Sequence, residues 1–166
     1  MIKMLKTVMD MHARLTKDQL FDILQKLDSP FVPTTRLYIY TEGLGAGFEN
    51  NFIMASHFLL PQIENSLRVI ADLKQISVTN FRKPEQFENT FGRVLEKLAP
   101  DMNADLYAEL QSFFLDSTNV NFRNELLHGL IDTASTQHFG YYAWWLSLKL
   151  IYFTNTYFSL GKTENP

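Results

Sequence analysis

The sequence contains no cysteine, no excess of positive charge and no uninterrupted apolar segment at its start. Without cysteine, disulfides and cysteine-ligated metal sites are excluded. A formal net charge of -3, from 15 Lys and Arg against 18 Asp and Glu, excludes the strongly basic surface that sequence-indifferent nucleic-acid binding needs. A small local basic site remains compatible with it. The first segment, "MIKMLKTVMDMHARL", is interrupted by charges and does not match a secretion signal, so we expect a cytoplasmic protein.

Length and composition predict one folded domain. A chain of 166 residues with 46% hydrophobic and 14% aromatic content can bury a single core. We assign 1–166 to one helical domain, with 1–33 as an N-terminal helical extension and 34–160 as the core bundle.

One segment, from Tyr141 to Leu160, has the length of a membrane span. Lys149 lies near its centre, and a lysine at mid-bilayer costs about 2.5–3.5 kcal/mol on insertion scales. The segment is therefore predicted to be a buried helix, and no membrane partner is expected.

Helical periodicity dominates the first half of the chain. "TKDQLFDILQKLD" has an N-cap at Thr16 and one apolar face, made of Leu20, Ile23, Leu24 and Leu27. "SPFVP" then breaks the helix, and a new one is predicted from Thr35. The segment 48–74 carries an apolar stripe at helical spacing, which predicts a core-facing helix. The stripe consists of Phe52, Leu59, Ile63, Leu67 and Ile70.

The glycines of "GLGAG" do not match a nucleotide-binding loop, because the lysine and the preceding strand of such a loop are missing. We interpret Gly43, Gly45 and Gly47 as positions where helices pack closely.

The second half of the chain is also predicted to be helical. "ISVTNF" is β-prone, so the connector after Lys74 is expected to contain one short strand or hairpin. Helices are predicted at 86–98 and 104–115, followed by a short one from Arg123 to His128 that ends at Gly129, and by a last helix reaching about Leu160. The predicted class is all-α.

A polar constellation, "NFRNELLHGL", lies in the short helix. Arg123 and His128 are about 140° apart on a helix, whereas Asn124 and His128 share a face. The arginine can join the histidine by wrapping its side chain, by lying in an irregular first turn, or across a two-fold dimer. Imidazole is a general acid or base near neutrality, and guanidinium binds phosphate through paired hydrogen bonds. The set suits metal-free RNA cleavage, in which the 2′-OH attacks the adjacent phosphate.

The same residues have a purely structural interpretation. Arg123 or His128 can cap helix carbonyls or pair with Glu125 or Asp132. From spacing alone this interpretation is favoured, since an Arg and a His five positions apart occur often by chance.

A second polar stripe, His57, Glu64 and Arg68, also has two interpretations. Either it is a solvated face with a Glu64–Arg68 pair worth about 0.3–0.5 kcal/mol, or it faces Arg123 and His128 across the bundle. Neither His12 nor His138 has a partner at metal-ligand spacing, so no metal and no cofactor are predicted.

Two motifs carry a family resemblance. "RNELLH" resembles the R-x4-6-H motif of HEPN domains, in which Asn, Asp or His often follows the arginine. The helix "LLPQIENSLR", upstream of "NFRNELLHGL" and a closing helix, is similar to a bacterial HEPN-like family of unknown function. The resemblance covers about 40–160. Because the two motifs occur in the same order as in that family, it favours a functional site over the purely structural interpretation.

The resemblance implies an all-α, HEPN-like bundle that dimerises around a composite cleft. Many HEPN proteins are metal-independent endoribonucleases in toxin–antitoxin and phage-defence systems, whereas others are inactive binding modules. The resemblance implies that Arg123 and His128 are the catalytic residues. It implies supporting or substrate-binding roles for four others: Asn124, Glu64, Arg68 and His57. Implied partners are a second copy of the chain, RNA, and an antitoxin or other protein. The alternative is a non-catalytic dimeric module that binds a nucleotide or a protein.

Overall fold

The computed structural model describes residues 15–82, 85–88 and 90–160, with backbone alone at 79–82 and 85–88. Residues 1–14, which include His12 and the start of the predicted extension, lie outside the described residues. The predicted all-α class is confirmed by seven α-helices within the described ranges. They are α1 (Lys17–Leu27), α2 (Leu37–Phe48), α3 (Phe52–Leu73), α4 (Phe91–Leu98), α5 (Ala104–Phe114), α6 (Phe122–Leu127) and α7 (Thr133–Tyr157).

Helix α1 follows the predicted signals at its start and departs from them on its apolar face. Thr16 forms a capping box with Gln19, in which each side chain bonds the other residue's backbone N–H. Of the predicted core positions only two are buried, Leu20 and Leu24, whereas Ile23 and Leu27 are 47% and 40% exposed. The helix packs against α2 alone over most of its length, so a narrow stripe is enough to hold it.

Helix α3 is the central element and packs between α2 and α7. All five residues of its predicted stripe are buried. The helix begins at Phe52 rather than at 48, because Asn50 adopts a left-handed conformation and the Asn51 side chain accepts a hydrogen bond from the Met54 N–H. It continues through Pro61, which has no N–H to donate to the preceding turn.

Helix α7 covers the segment that has the length of a membrane span, and the prediction of a buried helix is confirmed. Trp144, Leu146 and Leu150 are at most 1% exposed, and Lys149 forms an ion pair of 2.6 Å with Glu109 on α5. Asp132 caps the start of the helix. Hydrogen bonds from the Ser135 N–H and hydroxyl lower the pKa of the Asp132 carboxyl.

None of the helices in the described ranges has the combination of length and apolarity that crossing a bilayer requires.

The prediction of a helix from 86 to 98 is wrong at its start. Glu85–Glu88 forms strand β2, paired antiparallel with β1 (Thr79–Arg82), and α4 begins only at Phe91 after an extended Thr90. Glu and Gln have good helix propensity, but here backbone pairing with the neighbouring strand overrides that preference. The hairpin lies in the connector between α3 and α4.

Glycines allow close contact between the central helices, as predicted for Gly43 and Gly47. A Cβ on Gly47 would lie 2.1 Å from Trp144 Cδ1, and one on Gly43 would lie 2.7 Å from Leu59 Cγ. The Trp144 indole also donates a 3.0 Å hydrogen bond to the Leu44 carbonyl. Gly45 does not fit the prediction, since a Cβ there would make only ordinary contact with a lysine side chain.

Another glycine, Gly140, allows α7 to approach the backbone of α3. A Cβ on Gly140 would lie 2.6 Å from the Phe52 carbonyl oxygen. Helices α2, α3 and α7 therefore meet at distances that larger residues would not allow.

We predict that Gly47→Ala lowers the free energy of unfolding by at least about 1–3 kcal/mol, the usual cost of overpacking a core. The added methyl would have to displace the fully buried Trp144 ring. Gly45→Ala, in the same helix, is the matched control and should be neutral or stabilising by up to about 1 kcal/mol through helix propensity. Urea denaturation of both variants measures the difference, and equal stabilities would contradict the packing argument.

Candidate functional site

The short helix α6 presents the motif residues on a rigid support. Its six residues are too few to form a stable helix alone. Phe122 and Leu126 are buried, and the Phe122 ring lies 5.2 Å from that of Phe113. Asn121 precedes the helix with a left-handed backbone at φ 48°. Packing and this turn fix the direction in which the following side chains leave the helix.

Arg123 is held by two acceptors. Its Nη2 donates to Glu64 Oε2 at 3.3 Å, and its Nη1 donates to Asn124 Oδ1 at 3.0 Å. Asn124 in turn donates from Nδ2 to Asn121 Oδ1 at 2.8 Å. Asn124 thus links Arg123 to Asn121, and its predicted supporting role in catalysis stays a prediction. Arg123 Nε is buried and has no hydrogen-bond partner among the described residues.

Glu64 joins the two motifs, because its second oxygen bonds Arg68. The distance from Arg68 Nη2 to Glu64 Oε1 is 2.9 Å. The side chains of Glu64, Arg68 and Arg123 are 19%, 17% and 26% exposed, so all three are largely shielded from water. Both interpretations of the stripe are thus partly right: the pair within α3 exists, and it faces Arg123. The pairing of Arg123 with Glu125 or Asp132 is wrong.

His128 is not part of this network. It follows the last residue of α6 as the C-cap, and its N–H bonds to the Asn124 carbonyl at 3.0 Å. Within the described ranges its imidazole makes no hydrogen bond, and the residue is exposed. Leu127 and Leu130 beside it are 47% and 70% exposed. Gly129, at φ 67°, ends the helix as predicted.

His57 also lies apart from Arg123. It is exposed, and its Nδ1 is 2.8 Å from the Ile53 carbonyl oxygen one turn earlier. Seven residues separate it from Glu64, which is about 10 Å along a helix. The structure thus brings together the side chains of Glu64, Arg68, Arg123 and Asn124, and it leaves the imidazoles of His57 and His128 outside their hydrogen bonds.

A surface cleft of about 380 Å³ adjoins the network. We call it the arginine cleft; it is lined by Arg36, Pro61, Gln62, Glu64, Asn65, Arg68 and Leu127. Sequence reasoning missed Arg36, which lies in a 3₁₀ turn (Thr34–Arg36) far from the motif in the chain. It also missed Gln62 and Asn65, although both lie inside the quoted "LLPQIENSLR" segment. The one sequence signal for these two residues was that they lie within two positions of Glu64 in the chain.

The cleft and the network carry a local surplus of positive charge. The cleft lining and the Glu64 network together contain three arginines, Arg36, Arg68 and Arg123, and one acidic residue, Glu64. This holds in a chain whose net charge is -3. Fixed guanidinium groups in a partly shielded site favour a bound anion, and phosphate matches their paired donors. Among the described residues, no three His, Asp or Glu side chains converge as metal ligands.

Comparison with protein-family models, curated proteins and solved structures finds no match to this chain. The resemblance to HEPN domains therefore depends on the motif residues themselves.

We predict that Glu64→Gln lowers the free energy of unfolding by about 1–3 kcal/mol. The change would leave two largely shielded guanidinium groups without their carboxylate. Glu96→Gln, at an exposed position of α4, is the matched control and should change stability by less than about 0.5 kcal/mol. Thermal and urea denaturation measure both, and equal values for the two variants would show that the network contributes no more than a surface pair.

Proposed function

We propose that this protein is a metal-independent endoribonuclease of HEPN type, acting as a homodimer with a composite site in a toxin or phage-defence role. The observation that carries the proposal is the fixed guanidinium of Arg123 beside a basic cleft, in a motif that resembles the HEPN signature. The biological role follows from the resemblance alone.

The chemistry needs two groups. The 2′-OH of one nucleotide attacks the adjacent phosphorus, the bond to the 5′-oxygen breaks, and a 2′,3′-cyclic phosphate forms. Arg123 would offset the negative charge that grows on the phosphate oxygens. His128 would either accept the proton of the 2′-OH, while water protonates the leaving 5′-oxygen, or donate a proton to the 5′-oxygen, while water accepts the proton of the 2′-OH. No water nucleophile is needed in this step.

The placement of His128 supports a composite site. Its imidazole is exposed and makes no hydrogen bond with Arg123, so one protomer does not present the pair as a hydrogen-bonded unit. Two exposed leucines, Leu127 and Leu130, flank it. Apolar side chains around an exposed motif are suited to a two-fold contact, in which the same patch serves both copies. Such a contact would bring the histidine of one protomer to the arginine of the other.

One observation favours the alternative, a non-catalytic module. The Glu64 carboxylate already occupies Arg123, and a neutralised guanidinium stabilises a transition state less. In that case the cleft would bind a nucleotide, and the exposed leucines would bind a protein partner, without cleavage.

We predict that the protein is a dimer at micromolar concentration and that Leu130→Glu converts it to a monomer. A carboxylate at the centre of an apolar contact would be buried without a partner. Leu73→Glu is the matched control, since Leu73 is 58% exposed on α3 and outside the proposed contact. Light scattering measures the mass of each. A wild-type monomer, or equal dissociation by both substitutions, would contradict the dimer through this surface.

We predict that Arg123→Ala and His128→Ala each reduce RNA cleavage at least about 100-fold. Both groups act in one transition state, so the double variant should lose little more. His138→Ala, which removes an exposed histidine of α7, is the control and should cleave as wild type does. Cleavage of total RNA is followed on gels, with and without EDTA, and the activity should survive the chelator. Intact RNA with wild-type protein, or full activity in both variants, would refute the proposal.

Mixing the two inactive variants tests the composite site directly. A heterodimer of Arg123→Ala and His128→Ala would contain one site with an intact arginine from one protomer and an intact histidine from the other. Activity should therefore return in the mixture. No recovery, in a mixture shown by mass spectrometry to contain heterodimers, would place both groups of a site in one protomer.

A further inference from the structure

We infer that the arginine cleft is a second phosphate subsite, which binds the phosphate of a nucleotide adjacent to the one held by Arg123. The inference rests on the proposed function where the ligand is an RNA strand. The residues that would bind this phosphate are Arg36 and Arg68, and no sequence motif pointed to Arg36.

Arg36 is the main observation. It lines the cleft and is only partly exposed, and within the described part of the chain its guanidinium has no ion-pair or hydrogen-bond partner. Arginines that support a fold usually pair with a carboxylate or a carbonyl oxygen. An arginine that lines a cleft without a partner can give both of its paired donors to a ligand.

The charge around Arg36 favours an anion. Arg68 lines the same cleft from α3, and the carboxylate among the lining residues, Glu64, is shared between Arg68 and Arg123. One shared carboxylate cannot neutralise three guanidinium groups. Water would screen the attraction of this positive charge for an anion. The side chains of Arg68 and Glu64 are less than one-fifth exposed, so the screening is reduced in the cleft.

The remaining walls fit the rest of a nucleotide. A volume of about 380 Å³ lies in the range of small-molecule sites. Pro61 and Leu127 provide apolar surface for a base or ribose, and Gln62 and Asn65 provide amides. The side-chain oxygen of Gln62 is buried and lacks a donor among the described residues. After a small movement of the side chain, an amino or imino group of a base would donate a hydrogen bond to this oxygen.

The position of the cleft connects it to the proposed reaction. Glu64 is common to the cleft wall and to the Arg123 contact, and Leu127 is the residue before His128. A strand with one phosphate at Arg123 would therefore pass directly into the cleft. The subsite would set affinity for the strand without touching the reacting bond.

The test measures binding separately from cleavage. The ligands are a fluorescent single-stranded RNA carrying 2′-O-methyl groups, which cannot undergo 2′-OH attack, and adenosine 5′-monophosphate. Anisotropy and calorimetry give Kd for wild type, Arg36→Ala, Arg36→Lys and the control Arg93→Ala, which removes the same charge from an exposed position of α4. The Arg36 guanidinium has no partner to lose among the described residues, so the fold should persist, and circular dichroism checks this.

We expect Arg36→Ala to weaken binding of at least one ligand about five-fold or more, with Arg36→Lys intermediate and Arg93→Ala unchanged. For RNA, the slope of log K against log salt should fall by about 0.7, the value for one phosphate contact on a single strand. If the Kd values of both ligands depend on Arg36, the cleft is a general nucleotide subsite. If only the Kd for RNA depends on Arg36, the cleft is a subsite for an RNA strand.

The outcomes separate this inference from the proposed function. If wild-type protein cleaves RNA but Arg36→Ala binds it with unchanged Kd and salt slope, the subsite is wrong and the nuclease stands. If no RNA is cleaved yet nucleotide binding depends on Arg36, the subsite stands and the nuclease fails. Binding of neither ligand, or equal losses in Arg36→Ala and Arg93→Ala, overturns the subsite.

Discussion

The Glu64 carboxylate links helix α3 to the motif helix α6, and the geometry of the site depends on that link. Helix α6 is too short to fix its own orientation. The buried side chains of Phe122 and Leu126 anchor it to the core, and the ion pair between Glu64 and Arg123 anchors it to α3. The same carboxylate also fixes Arg68 within α3. A single acidic residue thus contacts two guanidinium groups, and the core stripe of α3 determines where that residue lies.

This arrangement would reconcile an acidic chain with the proposed anion-binding site. Net charge describes long-range attraction, whereas a phosphate in a cleft responds to the few charges within several ångströms. Glu64 reduces the mutual repulsion of Arg68 and Arg123, which allows them to remain close in a partly shielded place. The cost is a weaker field at Arg123. In the proposed subsite, Arg36, which has no partner in the described structure, would add positive charge at the cleft.

The sequence predicted those features that depend on local pattern. The stripe from Phe52 to Ile70, the cap at Thr16 and the break at Gly129 all follow from spacing and residue type, and the structure has each of them. Pattern failed where contacts outside the segment decide: pairing with the neighbouring strand of the hairpin replaced the predicted helix at 86–88, and Ile23 is exposed because α1 contacts few neighbours. The link from Glu64 to Arg123 could be stated only as one of two alternatives, and Arg36 could not be found, because nothing in a 3₁₀ turn indicates what lies opposite it.

The close helix contacts differ in what could relieve them, and this has an evolutionary consequence. At Gly47 the obstacle is the Trp144 side chain, so a smaller residue at 144 would make room for a larger one at 47, and the two positions can drift as a compensating pair. At Gly140 the obstacle is the backbone carbonyl of Phe52, which every residue type retains. Among homologues, position 140 should therefore stay glycine even where 47 and 144 have changed together.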